Sequence, residues 1–135
     1  MTQFSFTIPG IPHPQGRPRF ARRGRFVHTY EAAKDTAWKN LVKAYARAKW
    51  KRQPPIIVPV TMTVTFFMPI PQSVKYAHEG MPHIKRPDVS NLLKGVEDAL
   101  NGFVWKDDSQ ICNVRAMKVY STRPRTEVTI EWGER

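Results

Sequence analysis

The stretch VPVTMTVTFFMP, residues 58–69, alternates large apolar side chains with polar ones over a length that is typical of a strand. The apolar positions are Val60, Met62, Val64, Phe66 and Met68. Because successive side chains of a strand point to opposite faces of a sheet, the pattern predicts a strand with one buried face. Such a strand requires partner strands and a covering layer elsewhere in the chain.

The partner strands are predicted near the two ends of the chain. FSFTI, residues 4–8, alternates in the same way. ICNVRAMKVYS and TEVTIEW, residues 111–121 and 126–132, are two further strand-like segments joined by the turn TRPR. We expect these last two strands to form a terminal hairpin, in which Pro124 favours the turn.

Two helices are predicted between the strands. In residues 30–50, one stripe at helical spacing consists of Ala33, Ala37, Leu41, Ala44 and Ala48. Residues 86–102, RPDVSNLLKGVEDALNG, have Asp88 as a candidate N-cap and end at Asn101-Gly102. The apolar face of this second helix is formed by Leu92, Leu93, Val96, Ala99 and Leu100. Residues 1–135 are therefore predicted to form a single α/β domain of order β-α-β-α-β-β, with helices packed against one mixed sheet.

The charge of the chain is strongly positive and unevenly distributed. The formal net charge is +11, and residues 1–52 hold 12 Lys and Arg against two acidic residues, while residues 53–135 hold 10 against 9. Neutralising the phosphates of a polyanion releases counterions, so a basic half of this kind favours a nucleic-acid partner.

Composition argues against several other classes. No apolar run approaches the roughly 20 residues of a membrane span, and MTQFSFTIPG lacks the features of a signal peptide, so we expect a cytoplasmic protein without a membrane partner. Cys112 is the only cysteine, which excludes an intramolecular disulfide. The four histidines are not spaced as zinc ligands.

A Pro-, Gly- and Arg-rich stretch at about residues 10–29 is predicted to be a functional loop. It contains five arginines in nine residues with no acidic residue among them, and aromatic side chains accompany them. Arginines of this kind either solubilise an exposed loop or contact phosphates, and the adjacent phenylalanines favour nucleic-acid binding. The candidate contacts are Arg17, Arg19, Arg22, Arg23 and Arg25.

The second predicted helix carries polar residues on the side opposite its leucines. These are Asp88, Asn91, Lys94 and Asp98, and Asp107 and Asp108 follow within ten residues. Asp88 together with one or both of the later aspartates offers the hard oxygen ligands that Mg²⁺ prefers, and Lys94 offers a fixed positive charge near a phosphate. The alternative is structural, with Asp88 as an N-cap and Asp107-Asp108 as a turn.

These segments resemble the RusA-type Holliday junction resolvases, endodeoxyribonucleases of phages and prophages. IPHPQGRPRFARRGR is similar to the N-terminal segment of that family, RPDVSNLLKGVEDALNG to its central helix D-x-D-N-L-x-K-x-x-x-D-A-L, and VWKDDSQI to its W-x-D-D-x-Q motif. The resemblance covers most of the chain.

The resemblance implies a homodimer that binds four-way DNA junctions and cuts two strands symmetrically, in recombination and repair, using Mg²⁺ or Mn²⁺. By position it assigns catalysis to Asp88, Lys94, Asp107 and Asp108. It assigns metal binding to Asp88, Asp98, Asp107 and Asp108, with Asp108 ranked above Asp107. Asn91 and Lys94 join the five arginines as candidate DNA contacts.

One position departs from the family pattern. Ser90 stands where the family commonly has the second aspartate of D-x-D-N, and a hydroxyl is a weaker metal ligand than a carboxylate. A junction- or DNA-binding protein with weak or lost nuclease activity is therefore the alternative. A basic RNA-binding module is a third hypothesis, which requires the carboxylates to be incidental.

Overall fold

The computed structural model describes residues 1–16, 19–23, 26–30 and 32–133, and their side chains in 1–16 and 32–133. The strands are β1 (Thr2–Pro9), β2 (Arg19–Arg23), β3 (Phe26–Tyr30), β4 (Val60–Pro69), β5 (Ile111–Ser121) and β6 (Arg125–Trp132). The helices are α1 (Ala33–Trp50) and α2 (Val89–Leu100), and a 3-10 turn at Asp108–Gln110 precedes β5. No helix in these described ranges is long and apolar enough to cross a membrane.

The four-stranded sheet has the order β1-β6-β4-β5 and is mixed, as predicted. β4 pairs parallel with β5 and antiparallel with β6, while β1 pairs antiparallel with β6. Every second residue of β4, from Val60 to Met68, is buried. The alternation in the sequence therefore marks a central strand, and the predicted α/β class and the order β-α-β-α-β-β of the main sheet are confirmed.

The predicted terminal hairpin is wrong, although both of its strands exist. β5 and β6 do not pair with each other, because β4 lies between them. Ser121 is aligned with Pro69, and Arg125 is aligned with Phe67, so residues 122–124 cross the end of β4. Three linking residues can bridge two inter-strand spacings, about 10 Å. The sequence pattern identifies strands but does not determine which strand pairs with which.

The predicted loop at residues 10–29 contains two strands. β2 and β3 form a separate antiparallel pair in which Arg19 is aligned with Tyr30 and Arg23 with Phe26. An antiparallel pair is held by backbone hydrogen bonds and needs no alternating apolar face, which is why the Pro-, Gly- and Arg-rich composition did not indicate it. We call residues 19–30 the basic arm.

The predicted apolar stripe of α1 is exposed, and a different face packs on the sheet. Ala33, Ala37, Leu41, Ala44 and Ala48 lie on the solvent side. The buried residues are Asp35, Trp38, Val42, Ala46 and Trp50. Burying two tryptophans removes far more apolar surface from water than burying alanines, so the larger side chains decide the orientation.

The face of α2 is predicted correctly. Leu92, Val96, Ala99 and Leu100 are fully buried, and Leu93 packs against the same core. Each large apolar side chain in this position contributes about 1.5–3 kcal/mol relative to an exposed one. Gly102 has a φ of +77°, a left-handed conformation that glycine adopts without strain, and it ends the helix as expected.

The free edge of β5 is partly covered by the segment that leads into α2. The Gly80 N–H donates to the Tyr120 carbonyl at 2.8 Å, and the His83 N–H donates to the Lys118 carbonyl at 3.0 Å. The Lys118 ammonium donates to the carbonyls of Lys85 and Pro87 at 2.6 and 2.7 Å. These bonds fix the backbone immediately before Asp88 against the sheet.

His83 lies within this covering segment and is held in an environment that disfavours its charge. Its ring lies 4.8 Å from that of Tyr120, and its Nδ1 has no hydrogen-bond partner among the described residues. Burial, followed by the charges of Lys118 and Lys85, lowers the pKa of His83. The folded protein therefore binds a proton at this ring less readily than the unfolded chain does.

We predict that His83 makes folding less stable in mild acid. As the pH falls below about 6.5, the unfolded chain takes up a proton at His83 before the folded protein does, so stability is lost. His83→Phe keeps an aromatic ring on Tyr120 but cannot be charged. Thermal unfolding at pH 7.5 and at pH 5.5 should give a smaller decrease in Tm for the variant than for the wild type. Equal decreases would contradict the assignment.

Candidate active site

Asp88 occupies the N-cap position of α2 without using its side chain as a cap. Its backbone is extended, with φ −67° and ψ 140°, and its carboxylate accepts no capping hydrogen bond. The side chain is exposed, and a surface pocket lined by residues 14–16, residues 86–88 and Asn91 opens beside it. A purely structural role for Asp88 as an N-cap would require a side-chain hydrogen bond to the helix backbone, and Asp88 does not make one.

Lys94 and Asp98 form an ion pair on the exposed side of α2. The Lys94 ammonium donates to Asp98 Oδ1 at 2.9 Å, and the Lys94 side chain is 64% exposed. The hydrogen bond to Asp98 raises the pKa of Lys94, and the negative charges of Asp108 and Glu97 act in the same direction. Lys94 is therefore a stable cation on this surface.

Asp108 lies in the segment after α2 and is held by a buried tryptophan, Trp105. Trp105 is fully buried, and its indole Nε1–H donates to Asp108 Oδ1 at 2.8 Å. This bond orients one carboxylate oxygen, in the way that hydrogen bonds from neighbouring groups orient metal ligands and catalytic carboxylates. Trp105 is the tryptophan of the W-x-D-D-x-Q motif, and the motif alone does not indicate this role.

Asp107 has a different task from Asp108. Its carboxylate accepts hydrogen bonds from the Ser109 N–H, at 3.2 Å, and from the Ser109 hydroxyl. Its own N–H donates to Gln110 Oε1 at 2.8 Å, which completes a capping box for the 3-10 turn. The bonds from Ser109 lower the pKa of Asp107. Asp107 thus shapes the turn that presents Asp108.

Gln110 attaches this turn to the rest of the fold. Its side-chain amide donates to the carbonyls of Ile56 and Val58, at 2.7 and 3.1 Å. The three polar residues of W-x-D-D-x-Q therefore have separate functions here. Asp107 closes the turn, Gln110 fixes it to the segment before β4, and Asp108 faces α2.

Glu97 is a residue of this site that the sequence analysis missed. It is half-buried on α2, and burial, followed by the negative charge of Asp108, raises its pKa, while Lys94 opposes this. It lies three residues after Lys94 and seven after Ser90, so all three share one side of the helix. That spacing was the signal in the sequence. Asp108, Lys94 and Glu97 are thus brought within electrostatic range of one another.

The predicted metal ligands do not form a ready-made cluster. Within the described ranges, no three His, Cys, Asp or Glu side chains are grouped so that they could hold a metal ion. The assignment of Asp88, Asp98, Asp107 and Asp108 to a metal therefore stays a prediction. Arg17 and Arg25 lie outside the described residues, and so do the side chains of Arg19, Arg22 and Arg23, so their predicted DNA contacts also stay predictions.

Comparison with known proteins agrees with the resemblance seen in the motifs. The chain is 38% identical over 138 residues to the uncharacterised protein YqaN of Bacillus subtilis (strain 168), with 96% of each chain covered. It is 35% identical over 74 residues to the crossover junction endodeoxyribonuclease rusA of Lactococcus phage r1t, with 54% of each chain covered. The sequence model of the family described as endodeoxyribonuclease RusA matches residues 9–131. This chain therefore belongs to the RusA family of endodeoxyribonucleases.

Proposed function

We propose that this protein is a metal-dependent endonuclease that resolves four-way, or Holliday, DNA junctions by paired symmetric hydrolysis of phosphodiester bonds. The observation that carries the proposal is the hydrogen bond from buried Trp105 to Asp108, because it fixes a carboxylate whose charge acts on Lys94 in a chain of the RusA family. The same bond satisfies the buried indole N–H, so one contact serves both the core and the orientation of Asp108.

The donor set fits Mg²⁺, or Mn²⁺ as a substitute. Mg²⁺ is commonly bound by only one or two carboxylates, with waters and substrate phosphates as the other ligands, so a cluster of three acidic residues is not needed. Asp108 and Asp88 are the residues that would hold it, with Asp98 and Asp107 in support. When bound, the metal would supply an activated water and would stabilise the charge that develops on the phosphate.

The other residues of the site position the DNA. Lys94, kept protonated by Asp98, stabilises negative charge on the phosphate under attack. Asn91 is exposed on the same side of α2 as Lys94 and contacts the neighbouring backbone of the DNA. The arginines of the basic arm, with Arg17, hold phosphates further from the cut, in keeping with a formal net charge of +11.

Two copies of the chain are proposed to act together. A four-way junction has pairs of equivalent strands, and a dimer with two-fold symmetry places two identical sites on them. Symmetric cuts in opposite strands follow from this arrangement, and they leave ends that can be religated.

Asp108→Asn tests the proposed chemistry. Amide substitution keeps an acceptor for the Trp105 N–H but removes the negative charge that holds a metal. We expect junction affinity within about threefold of the wild type, since phosphate contacts dominate binding. Cleavage should fall at least about a hundredfold, since the metal contributes several kcal/mol to transition-state stabilisation and about 1.4 kcal/mol is a factor of ten. The assay is cleavage of an end-labelled four-way junction, with gel-shift measurement of binding.

Asp107→Asn is the matched comparison. Asparagine still accepts from Ser109, so cleavage should decrease much less than in Asp108→Asn. Undiminished cleavage by Asp108→Asn at saturating Mg²⁺ would exclude Asp108 as a metal ligand. Equal losses in both variants would mean that the turn matters and that the individual carboxylate does not.

Trp105→Phe should weaken the response to metal while preserving the core. Phenylalanine retains most of the buried ring but loses the N–H that donates to Asp108. Loss of an orienting hydrogen bond of this kind typically costs about 10- to 100-fold in metal affinity or activity. We expect the Mn²⁺ concentration for half-maximal cleavage to rise by about tenfold, with junction affinity in a chelator unchanged. If the Mn²⁺ concentration for half-maximal cleavage is unchanged, the hydrogen bond from Trp105 has only a structural role.

Ser90 supports the alternative that the chain binds junctions but cuts weakly or not at all. It is exposed on α2, on the side that carries Lys94 and Glu97, where a family carboxylate is commonly found. Ser90→Asp separates the two functions, with Ser90→Asn as a control of similar size and no charge. If the native chain is already competent, the aspartate should change metal-dependent cleavage by less than about tenfold, a small part of the several kcal/mol that a metal supplies. Cleavage that appears only in the aspartate variant would establish the binding-only function.

A further inference from the structure

Residues 11–16 pass over both helices before the chain reaches the basic arm. Gln15 donates its N–H to the Asn91 carbonyl of α2 at 3.0 Å. His13 and Gly16 contact Asp35 in the first turn of α1. The segment is therefore attached to the DNA-contacting helix on one side and to α1 on the other.

Asp35 is a buried carboxylate with both oxygens in use. Only 4% of the residue is exposed. His13 Nε2 lies 2.6 Å from Oδ1, and the Gly16 N–H donates to Oδ2 at 3.0 Å. Burying a charge is unfavourable unless it is paired or hydrogen-bonded, so this carboxylate stabilises the fold only while residues 13–16 stay on it.

Gly16 permits a close approach to Asp35 that a side chain would prevent, and Gly95 lies in ordinary contact distance of Trp38 and the His13 backbone. A Cβ atom on Gly16 would lie 2.8 Å from Asp35 Oδ2. A Cβ atom on Gly95 would lie 3.4 Å from the Trp38 ring and 3.8 Å from the His13 carbonyl oxygen. The segment, Trp38 and α2 thus meet at Gly95, one helical turn after Asn91 and next to Lys94 in the chain.

We propose that Asp35 is a positioning residue, which fixes residues 13–16 on the two helices so that DNA held by the basic arm meets the site on α2 in one register. The inference rests on the proposed function. Arg19, where β2 begins, is only three residues from Gly16, so the start of the arm lies within about 11 Å of this anchor. Displacing a bound substrate by about 1 Å can lower the rate of an enzyme about a hundredfold.

The first experiment compares Asp35→Ala, Asp35→Asn and wild type in steady-state cleavage of a four-way junction. Alanine removes both hydrogen bonds. We expect kcat to fall about tenfold or more while KM changes less than about threefold, because positioning affects the rate of the bound complex. We also expect cuts at several positions around the branch point instead of one. Asparagine can accept from the Gly16 N–H and donate to His13, so it should restore a single cut position.

Gly16→Ala and the double variant Gly16→Ala/Asp35→Ala test the contact itself. The added methyl group collides with Asp35, so Gly16→Ala alone should lower kcat. Once Asp35 is alanine, that collision is gone, and the double variant should cut no worse than Asp35→Ala. If the decreases in kcat of the two single variants add up in the double variant, the proposal is overturned. Glu131→Gln, on β6, is the control for loss of an acidic residue.

A measurement without DNA separates this inference from the proposed function. In wild type the Gly16 amide should exchange with deuterium slowly, and Asp35→Ala should accelerate its exchange while Glu131→Gln does not. If wild type fails to cut any junction, the proposed function fails. The contact between Asp35 and residues 13–16 is then tested by deuterium exchange of the Gly16 amide and by junction binding. Rapid exchange of the Gly16 amide in wild type would overturn the proposal. An Asp35→Ala variant in which only KM rises, while the junction is still cut at one position, would also overturn it. If Asp35→Ala does not fold, Asp35→Asn and Gly16→Ala decide by the same readouts.

Discussion

A buried indole whose N–H donates to a carboxylate links the core of this protein to its candidate active site. Trp105 is enclosed completely, and an unsatisfied donor there would be unfavourable by about 1–3 kcal/mol. Its partner is Asp108, whose carboxylate is thereby fixed beside the Trp105 indole. The backbone carbonyl of Trp105 also accepts a hydrogen bond from the Gly102 N–H, at 2.8 Å, where α2 ends. Packing, helix termination and the orientation of a carboxylate are thus satisfied by one residue.

Local patterns predicted the elements of this fold but not their partners. β4 was recognised because alternation over ten residues records burial directly, and α2 because its apolar face is unbroken. Pairing is a long-range property, so the position of β4 between β5 and β6 was missed. In α1 the alanine stripe was misleading, because its two tryptophans and the buried Asp35 set the orientation.

The sequence predicted those residues of the candidate site that belong to short motifs. Asp88, Lys94, Asp98 and Asp108 follow from charge, spacing and the family pattern. Glu97 and Asp35 escaped because their roles depend on neighbours that come from elsewhere in the fold. His13 meets Asp35 across 22 positions of the chain, and nothing in either local sequence marks the contact. Local reasoning thus proposes candidate reacting groups more readily than the groups that hold them in place.

The position of β6 also determines when the domain can be completed during synthesis. β6 follows every other strand along the chain, yet it lies between β1 and β4 in the sheet. While the ribosome is still making β6, β1 and β4 have no partner in common, and the hydrophobic core has an open side. Pairing between strands so distant in sequence is slow to form. The β4–β5 pair can form before β6 is made, but β1 can join the sheet only once β6 lies between it and β4, so the sheet is completed late.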